Sequence, residues 1–328
     1  MAAKKGLAAL ALAASLAVTG GAAAQLGVDK PISVGAGQAG SQNYAANTAI
    51  GKLLAESGIN TRVQSFGGAG QYLALINNGD LDFAAITSPE VIEAMNGTGH
   101  YEGKKQDKIR LAARLSPQLA GLFVKKDSPI KRVRDLKGKR VTWGIPSQPT
   151  LVLQFQSMLA NDGLTVEDVQ KVMAPSVVRG VDDYVAGKTD VAFFALSGGR
   201  LVEADVQLGG VRFLPMNDTK EAVESMQQFT PGSYVARVEP RPGQVGIAEP
   251  TNIMAYDYVF VVGMHVPDDL IVRVVKTISE HQKELQETPT VLRMMEQAEM
   301  SRTVWNLQYH PAAIRYFSET GRWPYKKG

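Results

Sequence analysis

The stretch ISVGAGQAGSQNYAANTAIGKLLAE, residues 32–56, decides the fold of this chain. Its first five residues predict a β-strand, and residues 43–57 predict a helix with Ala46, Ile50, Leu53 and Leu54 on one side. The turn between them is rich in glycine, which lets backbone approach a ligand, and the helix start offers unpaired N–H groups at the positive end of the helix dipole. The stretch therefore predicts a loop that presents backbone N–H groups to a small ligand and favours an anion.

Polar side chains in and after this turn are candidate ligand contacts, and they are Gln38, Ser41, Gln42, Asn43 and Tyr44. Residues 35–40 also match the G-x-G-x-x-G pattern of dinucleotide sites. Such a site needs an acid for the ribose at the end of the second strand, and residues 61–70 contain no Asp or Glu. A small-anion site is therefore the better interpretation of the loop.

The chain continues as alternating strands and helices. Residues 61–66 and 81–86 predict two more strands, with a second glycine loop and a helix between them. This order implies a parallel sheet, whose ligands bind beyond the carboxyl ends of the strands. The loops that begin near Gly37, Gly67 and Thr87 should converge on one site there.

A second unit of the same kind follows. Residues 140–143 predict a strand, and residues 146–150 open a helix that runs to about Asn161. Gln148 and Thr150 lie at that helix start, where a helix dipole favours an anion by about 0.3–1 kcal/mol when exposed and up to about 2 kcal/mol when buried. An ordinary capped helix without a ligand remains an alternative interpretation.

Arg200 follows the predicted strand at residues 191–196. A guanidinium in that position can hold a carboxylate through two hydrogen bonds. It is equally typical of a surface arginine at the head of the helix predicted over residues 201–206. Both interpretations remain open at the level of the sequence.

Features that would indicate catalysis or a metal are sparse. The four histidines, His100, His265, His281 and His310, are far apart and lack the spacing of metal ligands. The chain has no cysteine and no G-x-S-x-G motif, and its paired acids stand at predicted turns and helix starts. A net charge of +3 gives no reason to expect nucleic acid. We therefore expect no catalytic residue, no cofactor, no metal and no nucleic-acid partner.

The N-terminal residues have the composition of an export signal. Lys4 and Lys5 precede an apolar run over residues 7–18, and Ala22-Ala23-Ala24 fits a signal-peptidase site. The run is shorter than the ~20 residues of a spanning helix, so cleavage near Ala24 is preferred over a retained anchor. The sequence thus predicts a signal peptide over residues 1–24 and a periplasmic location.

Five segments in series resemble the TAXI family, the solute receptors of one class of tripartite (TRAP) transporters. The likeness covers nearly the whole chain after the leader. The segments are GAGQAGSQNYAANTAI (35–50), GGAGQYLALINNGDLDFAAITS (67–88), GKTDVAFFALSGG (187–199), TPGSYVA (230–236) and YHPAAIRYFSETG (309–321).

The resemblance implies an α/β protein with a two-lobed class II periplasmic-binding-protein fold, each lobe a mixed, mostly parallel sheet flanked by helices. Residues 25–119 and 256–328 would form lobe I, and residues 120–255 lobe II. A monomer would bind a small organic acid, a glutamate-like amino acid or a dicarboxylate, between the lobes and deliver it to a TRAP-type membrane permease. An exported enzyme on the same fold and a ligand-sensing subunit for a membrane kinase are the alternatives.

The resemblance also implies binding residues, although several positions carry a different side chain from the family. Asn43 stands where a tyrosine is usual, and Ala69 stands where a serine is usual. The positions that align with family contacts are Tyr44, Gly68, Ala69, Thr87, Ser88, Gln148, Thr150, Ser197, Gly198 and Tyr234, and of these Ala69, Thr87, Gln148 and Ser197 carry a different side chain from the family's usual one.

Overall fold

A mixed sheet with two long central strands organises the molecule. The computed structural model describes residues 31–39, 41–146, 149–289 and 291–326. The strands in these residues are β1 (Ile32–Ala36), β2 (Thr61–Ser65), β3 (Phe83–Thr87), β4 (Ile109–Lys125), β5 (Arg140–Trp143), β6 (Gln170–Met173), β7 (Ala192–Ala195), β8 (Val211–Phe213), β9 (Tyr234–Val238) and β10 (Thr251–Gly263).

Helices connect and cover these strands. They are α1 (Gln42–Glu56), α2 (Ala69–Asn78), α3 (Ser88–Asn96), α4 (Thr150–Asn161), α5 (Val177–Val185), α6 (Gly199–Leu208), α7 (Lys220–Gln227), α8 (Asp268–Glu280), α9 (Gln282–Gln286) and α10 (Pro311–Glu319). Short 3₁₀ turns lie at Gly99–Tyr101, Val133–Leu136, Val166–Asp168, Val291–Met294 and Gln297–Glu299.

The main sheet has the strand order β2-β1-β3-β10-β4-β7, with β8 added to β4 and β9 added to β10. β1 pairs in parallel with both β2 and β3, which confirms the parallel sheet predicted from the alternation of strands and helices. β5 and β6 form a second, parallel pair, and an isolated parallel bridge between Val141 and Val191 joins β5 to the residue before β7.

β4 and β10 are long antiparallel strands of 17 and 13 residues. At one end β10 pairs with β3, and at the other end β9 pairs with β10 and β7 with β4. The same two strands therefore take part in both lobes of the fold. We call the lobe built on β1–β3 lobe I and the lobe built on β5–β7 lobe II.

Apolar side chains pack into separate cores. One cluster joins β1, β3 and the second half of β10 to α1, α2, α8 and α10. Two further clusters pack the rest of β4 and β10 against α4 on one side and against α5 and α6 on the other. The lobe boundaries at residues 119–120 and 255–256 stay a prediction.

Helix α1 shows how the opening stretch folds. Its predicted apolar side, Ala46, Ile50, Leu53 and Leu54, is buried, and each fully buried leucine contributes about 1.5–3 kcal/mol. The Asn47 amide lies fully buried beside them. Its Oδ1 accepts from the Ala85 N–H at 2.7 Å and its Nδ2 donates to the Ala85 carbonyl at 2.8 Å. These bonds fix α1 against β3.

Residues 291–299 do not form a continuous helix. The chain forms short 3₁₀ turns there, because the side-chain amides of Gln282 and Gln286 both donate to the Met295 carbonyl, at 2.8 and 2.6 Å. These bonds occupy an oxygen that a helical ladder would use. The predicted signal peptide lies outside the described residues, and among the helices that are described none has the length and apolar character needed to cross a membrane.

Candidate functional site

The carboxyl ends of the parallel strands in both lobes point toward the middle of β4 and β10. β3 ends at Thr87, which lies opposite Tyr258 of β10, and Tyr258 lies opposite Ser116 of β4. β7 runs antiparallel to β4 and ends at Ala195, opposite Ala120. Because β3 and β7 run in opposite directions, their ends approach each other.

The two strand ends are four residue steps apart along β4, from Ser116 to Ala120. At 3.2–3.4 Å per residue the gap is about 13 Å along the sheet. The loops after β1, β2 and β3 border it on one side, and those after β5, β6 and β7 border it on the other. We call this gap the cleft. The predicted convergence of the glycine loops therefore agrees with the strand topology.

Four helices that begin at the cleft have no side-chain cap. They start after Gly68 (α2), Thr87 (α3), Pro149 (α4) and Gly198 (α6). The first N–H groups of a helix have no partner inside the helix and bind side chains, water or a ligand. Both lobes therefore offer backbone N–H groups with a positive dipole end to the cleft.

The α1 start is held by its own side chains. Ser41 caps the helix by accepting from the Tyr44 N–H at 3.1 Å. The Asn43 Oδ1 accepts from the Gly37 N–H at 2.6 Å, and its Nδ2 donates to the Ala85 carbonyl at 2.8 Å and the Tyr258 hydroxyl at 3.0 Å. Asn43 thus shapes the glycine loop, whereas Gln38 is exposed and Tyr44 half-buried.

A pair of amides lies on the floor of the cleft. Gln42 of α1 donates to the Oε1 of Gln118 at 2.9 Å, and Gln118 donates back at 3.3 Å. Gln118 is buried and lies opposite Tyr256, whose hydroxyl donates to Gln154 of α4 at 3.1 Å. These bonds place neutral donors and acceptors from both lobes along one face of the two long strands.

Ser88 of α3 contacts the sheet. Its hydroxyl accepts from the Asp257 N–H at 3.1 Å, and the side chain is fully buried. The neighbouring Thr87 is half-buried, and its hydroxyl makes no capping bond to α3.

We expect Ser88→Ala to lower the free energy of unfolding by about 1–3 kcal/mol, because the Asp257 N–H loses its partner in a buried site. Urea unfolding of the variant and of Thr87→Ala, whose hydroxyl caps nothing, measures the difference. Equal stability of the two variants would contradict the structural role given to Ser88.

Lobe II supplies Thr150 at the α4 start and Gly198 at the α6 start. The Thr150 hydroxyl donates to the Oε2 of Glu90 in lobe I at 2.7 Å. A Cβ at Gly198 would lie only 2.1 Å from the Phe194 ring, so any other residue in this turn would displace that ring. Ser197 beside it is exposed, and the predicted contact Gln148 lies outside the described residues.

Arg200 lies at the head of α6 and its guanidinium is engaged in lobe II. Its Nε donates to Asp182 of α5 at 2.9 Å, and the terminal nitrogens reach Glu203 at 3.4 Å and Gln207 at 3.1 Å. A ligand would have to replace some of these partners. Its role as a ligand contact therefore stays a prediction.

Tyr234 borders a buried ionic cluster on the opposite face of the long strands. Its hydroxyl lies 3.3 Å from the Asp257 Oδ1, and the Arg302 guanidinium lies over its ring at 5.5 Å. Burial raises the pKa of the Tyr234 hydroxyl and the Asp257 carboxylate raises it further, so the group is a neutral donor at pH 7. Tyr234 thus joins β9 to β10 and to the C-terminal segment.

Arg114 and Asp257 form the centre of that cluster. The Arg114 Nε lies 3.0 Å from the Asp257 Oδ1, and both side chains are almost fully buried. Glu299 accepts from Arg114 at 3.2 Å and from Arg302 at 3.0 Å. The cluster joins β4, β10 and the chain before α10, and it balances two cations with two anions.

The residues that pattern analysis missed are Glu90, Gln118, Gln154, Arg114 and Asp257. Each lies far along the chain from the partner that gives it a role. Gln118 and Asp257 interrupt apolar strands, which is the one local signal that marks them.

Two surface pockets, of about 240 and 330 Å³, lie away from the cleft. One is lined by Asn96, Lys105 and Arg110, and the other by Arg322 and Tyr325. Neither collects helix starts from two lobes, so we place the candidate site in the cleft. The described residues contain no group of three or more His, Asp or Glu side chains arranged to hold a metal ion.

Comparison with solved structures defines the class of fold. A putative periplasmic sulfonate-binding protein, SsuA, of Methylobacillus flagellatus KT shares 16% identity at a TM-score of 0.50, over 89% of this chain and 87% of that one. The SsuA protein of Xanthomonas axonopodis pv. citri, bound to MOPS, shares 14% identity at a TM-score of 0.48, over 90% and 94% of the two chains.

The strand topology and the likeness to the Methylobacillus structure show that the chain has the two-lobed α/β fold of the periplasmic binding proteins, with a mixed sheet and flanking helices. Residues 34–321 match the NMT1-like family, and the chain belongs to that family.

Proposed function

We propose that this protein is an exported, monomeric solute-binding receptor that captures a small organic acid in the cleft and delivers it to a TRAP-type membrane permease. The observation that carries the proposal is the convergence of uncapped helix starts from both lobes on one gap of about 13 Å. The fold supports it, because the Methylobacillus protein of this fold is described as a periplasmic binding protein of a sulfonate transporter.

The physical basis is the binding of an anion by backbone N–H groups at helix starts. A ligand that contacts both lobes favours the closed arrangement by the difference between its free energies of binding to the closed and open forms. The hinge is then the middle of β4 and β10, where the long strands pass between the lobes. The neutral amides Gln42 and Gln118 would fix the ligand's orientation.

The ligand-binding set that we propose follows the prediction from the sequence. It comprises the N–H groups near Gly68, Ala69 and Gly198 and the side chains of Gln38, Ser41, Gln42, Asn43, Tyr44, Thr87, Ser88, Gln148, Thr150, Ser197, Arg200 and Tyr234. Among these, Asn43 and Ser88 act by shaping the loops that carry the N–H groups, since their polar atoms already bind the fold. Tyr234 lies on the face of the long strands opposite the Gln42–Gln118 pair, so it acts by supporting β9 and β10 and not by direct contact with the ligand.

Mass spectrometry of small molecules that copurify with the protein tests the function directly. A thermal-shift screen of amino acids and dicarboxylates then measures binding, because a ligand at 100 times its Kd stabilises the folded state by about 2.7 kcal/mol. Release of a chemically altered product would favour an enzyme, and unchanged melting with every acid would contradict the receptor.

The type of permease is tested by uptake of the labelled ligand in cells. The TRAP proposal expects uptake to stop when the ion gradient is collapsed while ATP is maintained. The Methylobacillus relative is described as part of an ABC transporter. Uptake that depends on ATP and not on the ion gradient would favour a permease of that type over a TRAP-type permease.

We expect Tyr44→Ala and Arg200→Ala to weaken acid binding about tenfold or more while changing the melting temperature little. Isothermal titration and thermal unfolding measure the two effects. Arg179→Ala is the matched control for Arg200, because Arg179 also pairs with Asp182 but is more exposed. Wild-type affinity in the Tyr44 and Arg200 variants would remove both residues from the site.

A further inference from the structure

One hydrogen bond crosses the cleft directly between the helix starts of the two lobes. The Thr150 hydroxyl, on the first residue of α4, donates to the Glu90 Oε2 at 2.7 Å. Glu90 lies in the first turn of α3, and Thr150 is only 3% exposed. The contact is therefore short, buried on the Thr150 side and half-buried on the Glu90 side, and formed between lobe I and lobe II.

The Glu90 carboxylate is held in place from lobe I. Its Oε1 accepts from the Tyr101 hydroxyl at 3.2 Å. Burial raises the pKa of Tyr101, and the Glu90 charge raises it further, so the phenol stays a neutral donor. The carboxylate thus bridges a hydroxyl from its own lobe and a hydroxyl from the other.

The position of this carboxylate is the one that the sequence predicts for the acid group of a ligand. α4 has no side-chain cap, and an anion at a helix start is favoured by the dipole and by unpaired N–H groups. Hydrogen bonds to an ionised group are also shorter and stronger than neutral ones. Glu90 therefore supplies from inside the protein the charge that an acid would bring.

We propose that Glu90 is an internal competitor for the ligand's acid group and that its bond to Thr150 holds the cleft closed when no ligand is present. The competition with a ligand rests on the proposed function, whereas the closure without ligand does not. An acid that reaches the α4 start must displace Glu90 or meet its negative charge. Glu90 thereby sets specificity against acids long enough to span the cleft.

The closing role is tested without any ligand. A hydrogen bond to a charged group shifts an equilibrium by roughly ten- to hundredfold. Small-angle X-ray scattering of the full chain should give a larger radius of gyration for Thr150→Val than for wild type. Thr150→Ser keeps the hydroxyl and should match wild type. Thermal unfolding of both variants shows that they are folded.

Equal radii of gyration for wild type, Thr150→Val and Thr150→Ser would overturn the closing role, whatever the protein binds. A radius of gyration of Glu90→Ala equal to that of wild type would likewise show that the Glu90–Thr150 bond does not hold the cleft closed. Because the measurement contains no ligand, it is independent of the proposed function.

The competing role is tested with succinate and L-glutamate as probes. Glu90→Gln retains an acceptor for Thr150 and Tyr101 but removes the charge, and we expect it to bind the acids about tenfold more tightly than wild type. Unchanged affinity would overturn the competition. Weaker binding of L-glutamate alone would make Glu90 a contact for the ligand's ammonium group and would equally overturn it. If wild type and variant bind neither acid and the thermal-shift screen finds no other acid that stabilises the protein, the proposed function fails and the scattering result decides the role of Glu90.

Discussion

Replacing Arg114 by methionine is expected to lower the free energy of unfolding by about 3–5 kcal/mol, because it leaves the Asp257 carboxylate buried without its closest cation. The Arg114 and Asp257 side chains are 3% and 5% exposed. Among the residues that the structure describes, the only other cation near Asp257 is Arg302, whose Nη2 lies 3.8 Å from the carboxylate. Urea unfolding followed by circular dichroism measures the loss.

A second substitution separates the pair from its surroundings. In Arg114→Met/Asp257→Leu both charges are replaced by apolar groups, and stability should recover by a large part of the loss, since two well-packed apolar side chains often replace a buried pair at little cost. Glu224→Ala, which breaks the exposed pair with Lys220 on α7, is the control and should change stability by less than about 0.5 kcal/mol. If Arg114→Met lowers the free energy of unfolding as little as Glu224→Ala does, the result would contradict the role given to the buried Arg114–Asp257 pair.

The elements with strong local signals were predicted well. β1 and β5 have the predicted bounds, and α4 begins and ends where its helix start and apolar spacing place it. The glycine loops were also predicted, because glycine marks a turn without reference to the rest of the chain. Local chemistry was sufficient in these segments.

The first half of β4 was not predicted. Residues 109–118 contain Arg114, Pro117 and Gln118, and a proline inside a run argues against a central strand. The structure accommodates them through long-range partners: Arg114 is paired with Asp257, and Gln118 with Gln42, which lies 76 residues away in the chain. Partners that distant leave no periodic signal.

The sequence predicted some parts of the candidate site and missed others, as it did for the fold. Sequence patterns identified the loops, because strand and helix ends follow from spacing. They did not identify Glu90, whose importance depends on Thr150, 60 residues further along the chain and in the other lobe. Acidic side chains are common in the first turn of a helix because the helix dipole stabilises them there. The position of Glu90 in the sequence therefore did not distinguish it from an ordinary helix-start acid.

An aspartate in place of Gly68 is expected to abolish acid binding while leaving the fold intact. Gly68 precedes α2 with φ −171° and ψ 168°, an extended conformation that any residue adopts, and it provides no side-chain cap. An aspartate at that position would accept from the first N–H groups of α2 and stabilise the helix by a few tenths of a kcal/mol. The same carboxylate would occupy the proposed anion site.

The loss of affinity should reach about hundredfold, or about 2.8 kcal/mol, because two like charges 5 Å apart repel by about 3 kcal/mol at an effective dielectric constant of 20. Titration of the variant with the copurified acid measures it. Thr219→Asp is the matched control, because it adds the same charge at the start of α7, which is already capped. That start lies beside Asn217, whose carbonyl binds Asn161 at the far end of α4, about 18 Å from the α4 start. If Gly68→Asp binds the acid as tightly as Thr219→Asp does, the α2 start contributes nothing to the site, and the cleft must hold its ligand through other groups.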